Sequence, residues 1–106
     1  GNASAQFALG GFYADGTGVV KDEVEAVKYY KMAADQGNAS AQYNLGVCYQ
    51  YGTGVVKDEV EAVKYYKMAA DQGYANAQYN LGVCYQYGTG VVKDEVEAVK
   101  YYKMAA

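Results

Sequence analysis

A shift of 36 residues lays the chain onto itself: Gly1, Gly37 and Gly73 align and divide the 106 residues into units 1–36, 37–72 and 73–106. Units one and two agree at 30 of 36 positions, and units two and three at 32 of 34, differing only at Asn38/Tyr74 and Ser40/Asn76. A period of this length marks a supersecondary element that cannot bury its apolar face alone and must stack on its own copies. The pattern predicts one all-α domain over residues 1–106, a solenoid of three helix pairs. Every difference between the first two units lies in their first half, where Phe7, Ala8, Gly11, Phe12, Ala14 and Asp15 become Tyr43, Asn44, Val47, Cys48, Gln50 and Tyr51.

Each unit contains the signals of two helices. Asn38 is placed to cap a first helix, A, over residues 39–51, and Gly52-Thr53-Gly54 ends it because glycine enters the left-handed conformation without a Cβ clash. Val55 and Val56 are expected to tuck the loop down. Asp58 followed by Glu61 has the spacing of a capping box, with the Glu reaching back to the cap, and opens a second helix, B, to about Gln72. Ala62, Val63, Tyr66, Ala69 and Ala70 form one stripe at helical spacing, with Glu61, Lys64, Lys67 and Asp71 largely off it. Gly46, Ala62 and Ala69 predict close helix crossings, and Leu45, Tyr49 and Tyr66 supply bulk between them.

Composition narrows the chemistry. Nine Lys, no Arg and twelve acidic residues give a net charge of −3, which argues against binding a nucleic-acid backbone. No run approaches the ~18 apolar residues of a membrane span, so no membrane partner is expected, and no basic, apolar and small-residue leader pattern opens the chain. The absence of His removes the commonest general base and metal ligand. No Pro occurs among thirteen Gly, so glycine punctuates the helices.

The spaced residues Ala41, Leu45, Gly46, Tyr49, Gly52, Gly54 and Val55, then Asp58, Ala62, Tyr65, Tyr66, Ala69, Ala70 and Gly73, recur in register through the chain. This pattern resembles the Sel1-like repeat, a relative of the tetratricopeptide repeat. The resemblance implies a right-handed α/α superhelix of antiparallel helix pairs whose A helices line a concave surface, and an adaptor role in protein assembly. It places Ser40, Tyr43, Asn44, Val47, Gln50 and Tyr51 of the second unit, and Asn76, Tyr79, Asn80, Val83, Gln86 and Tyr87 of the third, toward the groove. Helical spacing independently sets residues 40, 43, 44, 47 and 51 on a face apart from Leu45 and Tyr49. Tyr and Asn suit recognition of a peptide or protein segment, Tyr for its contact area and Asn for its paired donor and acceptor. The other reading is that these tyrosines pack across neighbouring A helices. The first unit lacks most of the set, so its part of the groove is expected to be weaker or different.

Other signals have plainer explanations. Cys48 and Cys84 lie one repeat apart, ~8–10 Å by helix-packing distance and beyond disulfide reach, and Phe12 fills the matching place, so two reduced packing thiols are expected. Some secreted, cysteine-rich members of the resembled family pair a Cys late in helix B with one early in the next helix A, and penicillin-related activity has been proposed for them. Ala34, Ala41, Ala70 and Ala77 occupy those regions here, so the resemblance carries neither the disulfides nor that activity over. The Gly-Thr-Gly loops lack the Lys-Ser/Thr of a phosphate loop and fit helix-connecting turns. Asn2-Ala3-Ser4 and Asn38-Ala39-Ser40 match a glycosylation acceptor but also helix caps. Asp58, Glu59 and Glu61 complement the dipole of helix B's first turn.

No catalytic residue, metal ligand or cofactor is implied. The leading expectation is a non-enzymatic scaffold that holds a peptide or protein segment on its concave face. The alternative is a repeat array that self-assembles head to tail, since Met104-Ala105-Ala106 follow helix B with no polar capping helix.

Overall fold

The computed structural model describes residues 1–106 as six helices and no strands: α1 (Ala3–Asp15), α2 (Glu23–Asp35), α3 (Ala39–Tyr51), α4 (Glu59–Asp71), α5 (Ala75–Tyr87) and α6 (Glu95–Ala105). α1, α3 and α5 are the A helices of the three repeats, and α2, α4 and α6 the B helices. Each packs on the next in chain order, giving an elongated body of 43 × 24 × 19 Å. None of the helices is long and apolar enough to cross a membrane.

The caps explain where the helices begin and end. Asn2 and Asn38 accept the amides of Ala5 and Ala41 at 2.9 and 2.8 Å, whereas Tyr74 heads α5 without a side-chain cap bond. Asp22, Asp58 and Asp94 do the same for the B helices, accepting from Glu25, Glu61 and Glu97 at 3.1, 3.0 and 3.1 Å. Only this half of the expected capping box forms. The Asp58 amide already donates to the Tyr49 carbonyl at 2.8 Å, so the Glu61 carboxylate turns along its own helix to Lys64, 3.2 Å away. The A helices end at Gly16, Gly52 and Gly88, each left-handed. Val55 packs against the core as expected, but Val56 does not and is 88% exposed.

Helix B supplies the predicted stripe. Ala62, Val63, Tyr66, Ala69 and Ala70 are all buried, joined by Tyr65, whose ring stacks on Tyr49 with centroids 5.8 Å apart. The close crossing within a pair is set by Gly46: a Cβ there would stand 2.7 Å from the Tyr66 ring and 3.2 Å from the Ala62 carbonyl oxygen. Between pairs, a polar tie absent from the sequence reading appears. Gln42 and Gln78, both buried, donate to the Ala34 and Ala70 carbonyls at 3.2 and 3.1 Å, a second bond to acceptors that the Gly37 and Gly73 amides already hold at 2.9 Å. Within the second repeat, Gln72 after α4 donates to Gln42 Oε1 of α3 at 2.8 Å.

Candidate binding surface

Neighbouring A helices leave two hollows between them. The first, about 300 Å³ between α1 and α3, is lined by Ala14, Tyr30, Tyr43, Asn44, Val47 and Cys48. The second, about 240 Å³ between α3 and α5, is lined by Gln50, Tyr51, Tyr79, Asn80 and Val83. Eight of the twelve residues expected on the concave face therefore line one hollow or the other. Ser40, Asn76, Gln86 and Tyr87 line neither; Ser40 is half-buried at the start of α3, Asn76 is exposed at the start of α5, and Tyr87 is exposed at the end of α5.

The tyrosines divide by environment. Tyr43 is half-buried and leans on Tyr66 and Tyr74 at 5.9 and 5.4 Å between centroids, so much of its ring supports the packing of its own repeat and the next. Its partners are thus a B-helix ring of its own repeat and Tyr74 at the head of the adjacent A helix, so for Tyr43 the expected packing across neighbouring A helices is present. Tyr79 also leans on a B-helix ring, Tyr102 at 5.7 Å, yet remains 56% exposed. Tyr51 and Tyr87 are freer still, at 68% and 70%.

The floor of the surface is polar and comes from helix B. Tyr66 is fully buried, and its hydroxyl donates to Gln50 Oε1 at 2.6 Å while the Asn80 side chain of the following repeat stands beside it. Burial pushes the Tyr66 phenol far above its ordinary value, the Asn80 contact opposing it. Tyr102 repeats the bond to Gln86 at 2.7 Å. Tyr30, with Ala14 where a glutamine would be, lacks that bond; burial again raises its phenol, the neighbouring Asn44 opposes the rise, and Cys48 and Asp15 add to it. The tyrosine of helix B was missed as a surface element because the helical stripe identifies it only as core. The signal available was the pairing of Gln50 with Tyr66 and Gln86 with Tyr102 at a spacing of sixteen, broken at Ala14 and Tyr30.

Cys48 and Cys84 are buried free thiols. Burial pushes each up to about 11, with Glu23 and Glu59 adding to the effect, so near neutrality they are protonated packing groups and poor nucleophiles. No cluster of three or more Cys, Asp or Glu side chains is arranged to hold a metal ion.

The model of the Sel1 repeat matches residues 3–38, 39–74 and 75–106. No curated protein matches the chain. Among solved structures, a Sel1 repeat protein from Oxalobacter formigenes superposes with a TM-score of 0.97 at 44% identity, over 99% of this chain and 43% of that one. A protective antigen present in uropathogenic Escherichia coli strains, displaying an SLR fold, gives 0.96 at 43% identity, over 97% of this chain and 22% of its own. Helicobacter pylori cysteine rich protein B gives 0.81 at 25% identity, over 97% and 80%. The chain thus spans less than half the length of the first two.

Proposed function

Since the chain belongs to the Sel1 repeat family, whose members are typically protein-interaction scaffolds, we propose that it is a non-enzymatic scaffold, a single solenoid domain over residues 1–106, that holds a peptide or protein segment along its A-helix surface. The observation that carries this reading is the second hollow. Two largely exposed tyrosines, Tyr51 and Tyr79, flank two amides, Gln50 and Asn80, that the Tyr66 hydroxyl holds from below. Rigid rings and pre-positioned amides lose little freedom when an extended backbone lies across them. The Gln50 Oε1 is already engaged, which leaves its amide hydrogens for a backbone carbonyl.

The test uses dodecapeptides selected from a random library on the wild-type protein. Tyr51→Ala, Tyr79→Ala and Asn80→Ala together should abolish their binding while circular dichroism shows the helical content intact. Selected peptides that bind the triple variant as well as the wild type would overturn the reading.

A second reading, head-to-tail association of copies, has one observation in its favour. Residues 23–34, 59–70 and 95–106 are identical, yet Val27 and Val63 are 7% exposed beneath the following repeat, whereas Val99 on α6 is 51% exposed. Within residues 1–106, α6 carries at its surface side chains that elsewhere lie beneath the following repeat, and Leu9 of α1, whose counterparts Leu45 and Leu81 are buried, is 37% exposed. A heterologous contact of this kind propagates. Sedimentation velocity over a hundredfold concentration range, in reductant, should show growth that Val99→Lys removes; a constant monomer excludes it.

A further inference from the structure

The two hollows share a backbone plan and differ through side chains at two adjacent positions. Gln50 flanks the second hollow and Ala14 takes its place in the first, so the first is open where the second is filled. The next residue is Tyr51 at one, where it lines the second hollow, and Asp15 at the other, which follows Ala14 outside the lining of the first but near enough to Tyr30 for its charge to be felt there. Asp15 ends α1, is exposed, and takes part in none of the three ion pairs, which join Lys28 to Glu25, Lys64 to Glu61 and Lys100 to Glu97.

The first hollow also borders a hydroxyl whose one polar neighbour is the Asn44 side chain. Tyr66 and Tyr102 give their hydroxyl protons to glutamines, but Tyr30, only 5% exposed, donates to no protein group, and its ring lines the hollow. A hydroxyl so placed has donor and acceptor capacity directed at whatever enters. The remaining lining, Ala14, Tyr43, Val47 and Cys48, is apolar or aromatic, with Asn44 at one side.

We propose that the hollow between α1 and α3 is a lysine pocket, taking the methylene stem of a partner segment's lysine over Ala14, Tyr43 and Val47 and its ammonium between the Tyr30 hydroxyl and the Asp15 carboxylate. The pocket rests on the A-helix surface being the binding face. A lysine stem covers apolar surface while its head seeks polar atoms, and the ammonium donates to separate single acceptors, which is what Tyr30 and Asp15 offer. The Tyr30 and Tyr43 rings add faces that favour a cation. The second hollow, with Gln50 and Tyr51 at the two positions, has neither the open flank nor the carboxylate. Charge complementarity agrees, for the chain carries −3.

The test titrates ¹⁵N-labelled protein with the blocked pentapeptide acetyl-Ala-Ala-Lys-Ala-Ala-amide and with versions carrying norleucine, glutamate or arginine in place of the lysine. The lysine peptide should shift the amides of Ala14, Asn44 and Val47 and bind about fivefold more tightly than the norleucine peptide, the most that one solvated ion pair gives. Asp15→Asn should bring it down to the norleucine level, and Ala14→Gln should remove both interactions while leaving the rest of the spectrum in place. Equal affinity for lysine, norleucine and glutamate, or tighter binding of arginine, overturns the assignment. Shifts confined to Gln50, Tyr79 and Asn80 overturn the lysine pocket but uphold the binding face. Loss of the library-selected peptides in the triple variant, with no shift by any pentapeptide, does the same.

Discussion

Repeats one and two carry the same loop, Gly-Thr-Gly-Val-Val-Lys-Asp, but its second glycine has different work in each. A Cβ on Gly18 would meet nothing within 4 Å, whereas on Gly54 it would collide with the carbonyl oxygen of Glu23 and lie 2.9 Å from Val27 Cγ2. Both glycines have a φ of 73°, so the backbone is the same and only the neighbour differs. The loop of the second repeat lies on the first turn of the preceding helix B, and Gly90 lies likewise against Glu59. A repeat in sequence is therefore not a repeat in energy: each residue takes its importance from the repeat stacked against it.

The largest effect expected from this comparison is that of Gly54→Ala. The left-handed conformation costs an alanine ~1–2 kcal/mol and the clash with fixed backbone adds ~1–3 kcal/mol. Gly18→Ala should incur only the first of these. Thermal melting followed by circular dichroism measures both, and equal losses for the two variants would break the comparison.

Cysteine supplies the next contrast, because Phe12 of the first repeat does not titrate where Cys48 and Cys84 do. Each thiol is raised from 9.0 to about 11, chiefly by burial, so the folded chain keeps its protons to higher pH than the unfolded chain. Their contribution to stability is fully present below pH 9, declines as pH rises toward about 11, and amounts to roughly 3 kcal/mol at most for each thiol. Melting of the wild type and of the Cys48→Ala, Cys84→Ala double variant across that window isolates this from the ionisation of the tyrosines. Parallel declines in the two proteins would remove the cysteines from the account.

Much of this architecture was legible before the structure. The 36-residue period gave the stacking, the Asn and Asp caps and the αL glycines gave the boundaries, and the Ala62 to Ala70 stripe gave the packing face, because each is a local rule acting on neighbouring residues. What escaped the sequence depended on contact between helices, within a repeat or between repeats. Gln42 looks like an exposed polar residue until the end of α2 offers it the Ala34 carbonyl. Glu61 has the spacing of a capping box, but the Tyr49 carbonyl has already taken the amide it would reach. The expected concave residues were positioned by helical phase, yet phase alone did not separate Tyr43, engaged with Tyr66 and Tyr74, from the freer Tyr51 and Tyr79.

The finest contrast lies in the helix-B tyrosines. Tyr66→Phe removes the 2.6 Å bond to Gln50 and the contact with Asn80, but both amides border the open hollow and can turn to water. The expected loss is accordingly about 1 kcal/mol, the net worth of one hydrogen bond, and not the larger penalty of an acceptor stranded in the core. Tyr30→Phe forfeits only the neighbourhood of Asn44 and should cost about half as much or less. If the missing glutamine is the reason, Ala14→Gln should supply the acceptor, and Tyr30→Phe in that background should then cost as much as Tyr66→Phe. The double-mutant cycle reads this coupling directly, by melting, for positions 14 and 30. A coupling of zero would mean that the bond between Gln50 and Tyr66 is incidental to packing; the first repeat would then differ from the second in the shape of its hollow and not in the support beneath it.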